Sequence, residues 1–184
     1  MSESAPVAQT TATLLDAFDR VHELVPEVLQ GLNEANLLWR PDPEANSIGW
    51  VIWHLCRVED EQITGVAEAL GIGHAAGPLW QAGGFAAKFK LPYPIDAVGY
   101  GQTSTEVGEF RATPALLREY AAAVAKQTDA VLGGLDERGY AVVVDKNYQP
   151  PVTASVRLVS TLIDIAQHIG QAAYLKGLNE RENQ

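Results

Sequence analysis

Cysteine occurs once in this 184-residue sequence, at Cys56. One thiol cannot close an internal disulfide, which excludes a stapled secreted scaffold and redox chemistry by a cysteine pair. Cations are scarce too. Lys and Arg number 13 against 23 Asp and Glu, for a formal charge of −10, and the 13 are scattered along the chain. Such a surface repels phosphate backbones and anionic lipid headgroups, so no nucleic acid and no membrane surface is expected as a partner. No apolar run approaches the roughly 20 residues that a membrane span requires. Residues 1–9 lack the basic and apolar regions of a signal peptide, and a cytoplasmic protein is expected.

What is present is apolar content, 47% of the residues, enough for a self-sufficient core in one domain of this length. Residues 1–9 are small and polar and read as a disordered lead-in to a single domain over 10–179. Leu14, Leu15, Phe18, Val21, Val25, Val28, Leu29 and Leu32 recur at helical spacing, with Pro26 inside the pattern predicting a kink or a shifted boundary. Asn46 or Ser47 can cap a second helix through Val51, Leu55, Val58 and Leu70, which stops at Gly71. Residues 73–112 show no sustained period and form a long crossover, with Thr103–Glu106 able to cap a short helix. Thr113-Pro114 opens a third helix that ends at Gly133-Gly134. Tyr140–Val144 favours an extended conformation, and Thr153 opens a last helix closing at Gly177. The fold class this predicts is all-α, a four-helix bundle with a long crossover between helices 2 and 3.

Four histidines are available for chemistry. His22 falls in the apolar arc of the first helix and reads as a core or bundle-edge residue, and His74 in a Gly-rich exit reads as solvated. His54 sits on the flank of the second helix's buried arc, beside Trp50, Arg57 and Glu61. His168 sits on the corresponding flank of the last helix, beside Asp164, Gln171 and Arg157. Two such stripes, if they face each other, line one cavity. Asp164 and His168 are four residues apart and hence neighbours on one turn, so with His54 they supply three ligands for one divalent ion and leave a position open. Two imidazoles and a carboxylate suit zinc and non-haem iron alike. Spacing alone decides little, because about one acid–His pair four apart is expected by chance in a chain this acidic. Most of the 23 carboxylates read as solvated surface, with Asp164 pointing inward.

The stretch from Leu38 through Trp39, Arg40 and Trp50 to His54-Leu55 and Asp60 resembles the first-ligand region of the DinB-like superfamily. The stretch from Pro150 through Asp164 and His168-Ile169-Gly170-Gln171 to Gly177 resembles its last helix, in the branch near the mycothiol-dependent maleylpyruvate isomerases. The resemblance implies a divalent metal on His54, Asp164 and His168, with zinc first and nickel or iron as alternatives. Many members carry His where this chain has Asp164, and the isomerase relatives carry an acid there. It also implies a homodimer and a transferase or isomerase that joins a small thiol, mycothiol or bacillithiol, to a small electrophilic substrate. Arg57 or Arg157 would then hold a substrate carboxylate, or else pair with acids such as Glu61. Gln171 would bond a ligand residue, or else stand as an exposed amide. Trp39, Trp50, Trp53 and Trp80 read as core or pocket walls. Cys56 reads as a small buried hydrophobe, so the thiol must come from a partner molecule. The alternatives are a bundle that binds metal or a small ligand without catalysis, as a sensor or sequestration protein, and a purely structural dimer with an empty site.

Overall fold

The computed structural model describes residues 9–72 and 77–182. Nearly all of the expected lead-in, and His74, lie outside the described residues. Four long helices form the bundle: α1 (Gln9–Leu29), α3 (Ile48–Leu70), α7 (Pro114–Gly133) and α8 (Ala154–Glu182). A short α2 (Glu34–Leu38) joins the first two, and the crossover carries α4 (Leu79–Ala82), α5 (Phe85–Phe89) and α6 (Ser104–Gly108). Between α7 and α8, a 3₁₀ turn over Gly139–Ala141 leads into an antiparallel hairpin of β1 (Val143–Asp145) and β2 (Val152–Thr153).

The helix ends follow the local chemistry. Ser47 caps α3 by accepting from Trp50 N, and Gly71 closes it at φ 64°. Thr113 caps α7 with proline in its first turn, and Thr103 and Glu106 form a reciprocal capping box on α6. Two expectations are corrected. Pro26 lies within α1, which continues to Leu29, so the boundary does not shift to it, and its missing N–H removes one bond from the end of the helix. There Lys176 Nζ donates to the Glu27 and Gln30 carbonyls and Arg118 to that of Leu29, satisfying orphan acceptors. Gly177 does not end α8. The helix runs on to Glu182 because Asn179 is buried and accepts from Asn36 Nδ2 at 2.8 Å, and this tertiary contact outweighs glycine's propensity.

The core sits around α3, which packs most extensively on α8 and next on α7, while α1 packs on α7 and α8 and the crossover covers the remaining side of α3. Every residue from Ile48 to Asp60 is buried. Trp53, wholly buried, meets Trp80, Tyr93 and Phe110 from the crossover edge-on or tilted. The carboxylate of Asp60, also wholly buried, accepts from Leu79 N at 2.8 Å, Trp80 N at 2.7 Å and Tyr120 Oη at 2.7 Å. It therefore pins the start of the crossover to α3 and α7 together. Arg57 stands 3.7 Å away across the same turn, with its guanidinium over the Trp80 ring. Removing the acid would strand a buried cation, two amide donors and a phenol, so Asp60→Ala is expected to lower stability by about 3–5 kcal/mol. Urea unfolding measures this, and a loss below about 1 kcal/mol would show that the anchor is unimportant.

Candidate metal centre

Helices α3 and α8 bring His54, Asp164 and His168 together, each offering a ligand atom within 4.8 Å of the others. The two imidazoles meet edge to face with ring centroids 4.7 Å apart. His54 is buried, and its Nδ1 donates to the Val98 carbonyl of the crossover. His168 Nδ1 donates to the main-chain oxygen of Asp164 at 2.8 Å. Both rings thereby carry their proton on Nδ1 and leave Nε2 as a free lone pair, the orientation a ligating histidine needs. Asp164 Oδ2 is shielded from solvent and has no well-formed hydrogen bond, standing 3.3 Å from His168 Nδ1. An orphaned carboxylate oxygen in a group where one ligand atom of each residue lies within 4.8 Å of the others fits a divalent cation.

The electrostatics agree with that fit. Burial pushes His54 below its ordinary pKa, with the nearby His168 adding to the effect, so His54 is neutral at pH 7. The Asp164 side chain holds His168 above its ordinary value. Burial acts to raise Asp164, but the nearby His168, with smaller contributions from His54 and Tyr100, outweighs it and holds the carboxyl below the usual range.

The surrounding wall comes from α3 and the crossover. Trp50 stacks on His54 at 5.0 Å and 13° and is tethered by Nε1 donating to Gln102 at 2.8 Å. Tyr100 stands edge-on to His54 at 5.0 Å and is 64% exposed. Burial raises the phenol's pKa, and the Asp164 charge raises it further, so it keeps its proton. The other candidates do not reach the triad as ligand-holding groups. Arg57 is wholly buried, donates through Nε to Ala97 O at 3.2 Å and stands 3.7 and 3.6 Å from Asp60 and Glu61, so burial keeps its guanidinium from a substrate. Arg157 is held by Asp145 at 2.8 Å. Gln171 is exposed on α8 and bonds neither ligand residue. Cys56 is buried.

A family model described as the DinB superfamily matches residues 17–172. This chain belongs to the DinB superfamily. Members of that superfamily commonly bind a divalent metal. A solved structure, that of a conserved protein of Enterococcus faecalis, is similar at 33% identity with a TM-score of 0.79, over 90% of this chain and 94% of that one. A search of curated proteins returns no match. Within this DinB bundle, the wall residues Val98 and Tyr100 carried no sequence signal, since a carbonyl acceptor is available from any residue. Gly99 was the one readable trace. Its φ is +103°, and an added Cβ would stand 2.7 Å from His54 Nδ1 and 2.9 Å from Trp50 Cζ2. Gly99→Ala must therefore displace the His54 ring or the loop, and metal affinity is expected to fall about 10-fold to 100-fold. Competition against a chromophoric chelator reads this, and an unchanged affinity would mean that the loop does not position His54.

Proposed function

We propose that the protein holds a divalent cation, zinc first, on His54, Asp164 and His168, and that it is a cytoplasmic transferase or isomerase using a low-molecular-weight thiol such as mycothiol or bacillithiol on a small electrophile. The observation that carries the metal reading is the pairing of two imidazoles, each with Nδ1 bonded to a main-chain carbonyl, with the orphaned oxygen of Asp164. A bound cation of this kind supplies Lewis acidity, under which a coordinating thiol loses its proton. The chain itself offers no competing nucleophile among its thiols. Cys56 is buried, and burial, reinforced by the charges of Glu59 and Asp60, pushes its pKa well above the ordinary value. Tyr100 is exposed, protonated and beside Asp164, which suits it to donate a hydrogen bond to a substrate oxygen. Trp50 and the crossover fix the His54 ring and cover one side of the site against water.

The same reading includes a homodimer. Val156, Val159, Ile163 and Tyr174 are exposed along one face of α8, the side chains of Val156 and Ile163 each at 52%. Ala166 and Gly170 lie exposed between them and permit close approach. A stripe along one helix is self-complementary under a two-fold axis, which is what an isologous interface requires.

Two measurements test this reading. Metal-loaded protein should transfer mycothiol or bacillithiol to a model electrophile, His168→Ala should lose both metal and transfer, and Cys56→Ala should keep transfer. Retained metal with no transfer to any electrophile from either thiol would favour the non-catalytic sensor or sequestration reading. Light scattering should show Ile163→Glu shifting a dimer to a monomer, and a wild-type monomer would remove the dimer from the proposal.

A further inference from the structure

A second group of metal-type ligands lies at the α1–α7 interface. Asp19 and His22 are three residues apart and share a face of α1, and Asp129 approaches from α7. One ligand atom from each lies within 4.8 Å of the others. His22 is not simply another polar residue of the bundle edge. Its Nε2 stands 2.7 Å from Oε1 of Glu59, a buried residue of α3, and the same oxygen accepts from Thr128 Oγ1 at 2.6 Å. A carboxylate acceptor takes the proton on Nε2, so the neutral ring has its lone pair on Nδ1. Burial acts to lower the His22 pKa, but Glu59, Asp129 and Asp19 together hold it above its ordinary value, so a cation at Nδ1 competes with a proton. That Nδ1 is shielded from solvent and has no hydrogen-bond partner. An unpaired buried acceptor costs free energy, and a histidine whose other nitrogen is held by a carboxylate is the arrangement found behind metal ligands.

The charges point the same way. Burial raises the Asp129 pKa, and the charges of Asp19 and Glu59 raise it further, against an offset from His22. Three carboxylates gathered on one imidazole leave negative charge in excess. Asp19 and Asp129 are themselves exposed, so a cation can enter from solvent and keep waters in its remaining positions.

We propose that Asp19, His22 and Asp129 form a second divalent-cation site, of the zinc or manganese class, independent of the triad on α3 and α8. One nitrogen and two carboxylate oxygens suit these ions, and Glu59 with Thr128 fixes the ring that supplies the nitrogen. Along α3, Glu59 lies about 140° around the helix from His54, so the two centres face different sides of it. A cation at the second site clamps α1 to α7.

The test uses the full chain carrying His54→Ala and His168→Ala, titrated with zinc alone in a calorimeter. That protein should bind one zinc per chain and gain thermal stability on doing so. Adding Asp19→Asn and Asp129→Asn should weaken the binding by at least ~10-fold and abolish the thermal gain, with metal-free circular dichroism unchanged because both replaced side chains are exposed. Zinc binding that survives both asparagines unaltered, or no zinc bound by the triad-free protein, would overturn the proposal. Should the triad-free background fail to fold, the wild-type chain replaces it. Its zinc stoichiometry must then fall by one on Asp19→Asn with Asp129→Asn, and an unchanged stoichiometry rejects the site.

Discussion

The structure depends on one constraint: α3 is buried along most of its length and yet carries His54, Arg57, Glu59 and Asp60 within two turns. A buried polar group must be satisfied or it costs more than a hydrogen bond contributes. Each of the four therefore dictates a piece of the molecule. Asp60 captures the amides at the start of α4 and the phenol of Tyr120. Arg57 captures the Ala97 carbonyl, and His54 that of Val98, so two consecutive carbonyls lay the crossover against the helix. Glu59 turns the other way and holds His22 and Thr128. The crossover is long because it must travel from the Asp60 anchor to the His54 end of the same helix and still supply the apolar cover, Trp80, Phe85, Phe89 and Phe110.

This explains which parts were legible from sequence. The four long helices follow from their apolar periods, and Ser47, Thr103 and Thr113 cap as their chemistry suggests. The flank positions of His54 and His168, with Asp164 one turn away, were readable because side-chain direction on a helix follows from residue number. The partners of α3 were not. A helix buried all round dilutes the amphipathic signal, so nothing set Glu59 and Asp60 apart from the other carboxylates, although they are among the most buried of the described residues. Their partners are backbone amides and a distant phenol, none of which leaves a pattern in the chain. Gln171 takes the second of its two readings, the exposed amide. Its spacing from His168 placed it near the site, but its own direction on α8 carries it into solvent.

The carboxylate of Asp164 beside two imidazoles has a consequence for what the triad can accept. Two neutral imidazoles and one carboxylate leave a bound divalent cation with one uncompensated positive charge. In a half-buried site that residual charge is costly and favours an anion in the open position. One thiolate cancels it, giving a neutral centre, whereas a neutral ligand does not. A third histidine would leave two positive charges and would tolerate a wider range of anions. The acid thus narrows the site toward a single monoanionic ligand. Because Cys56 is locked in the core with its proton held tightly, that ligand is not a thiolate from this chain, and a monoanion from solution would complete the charge balance.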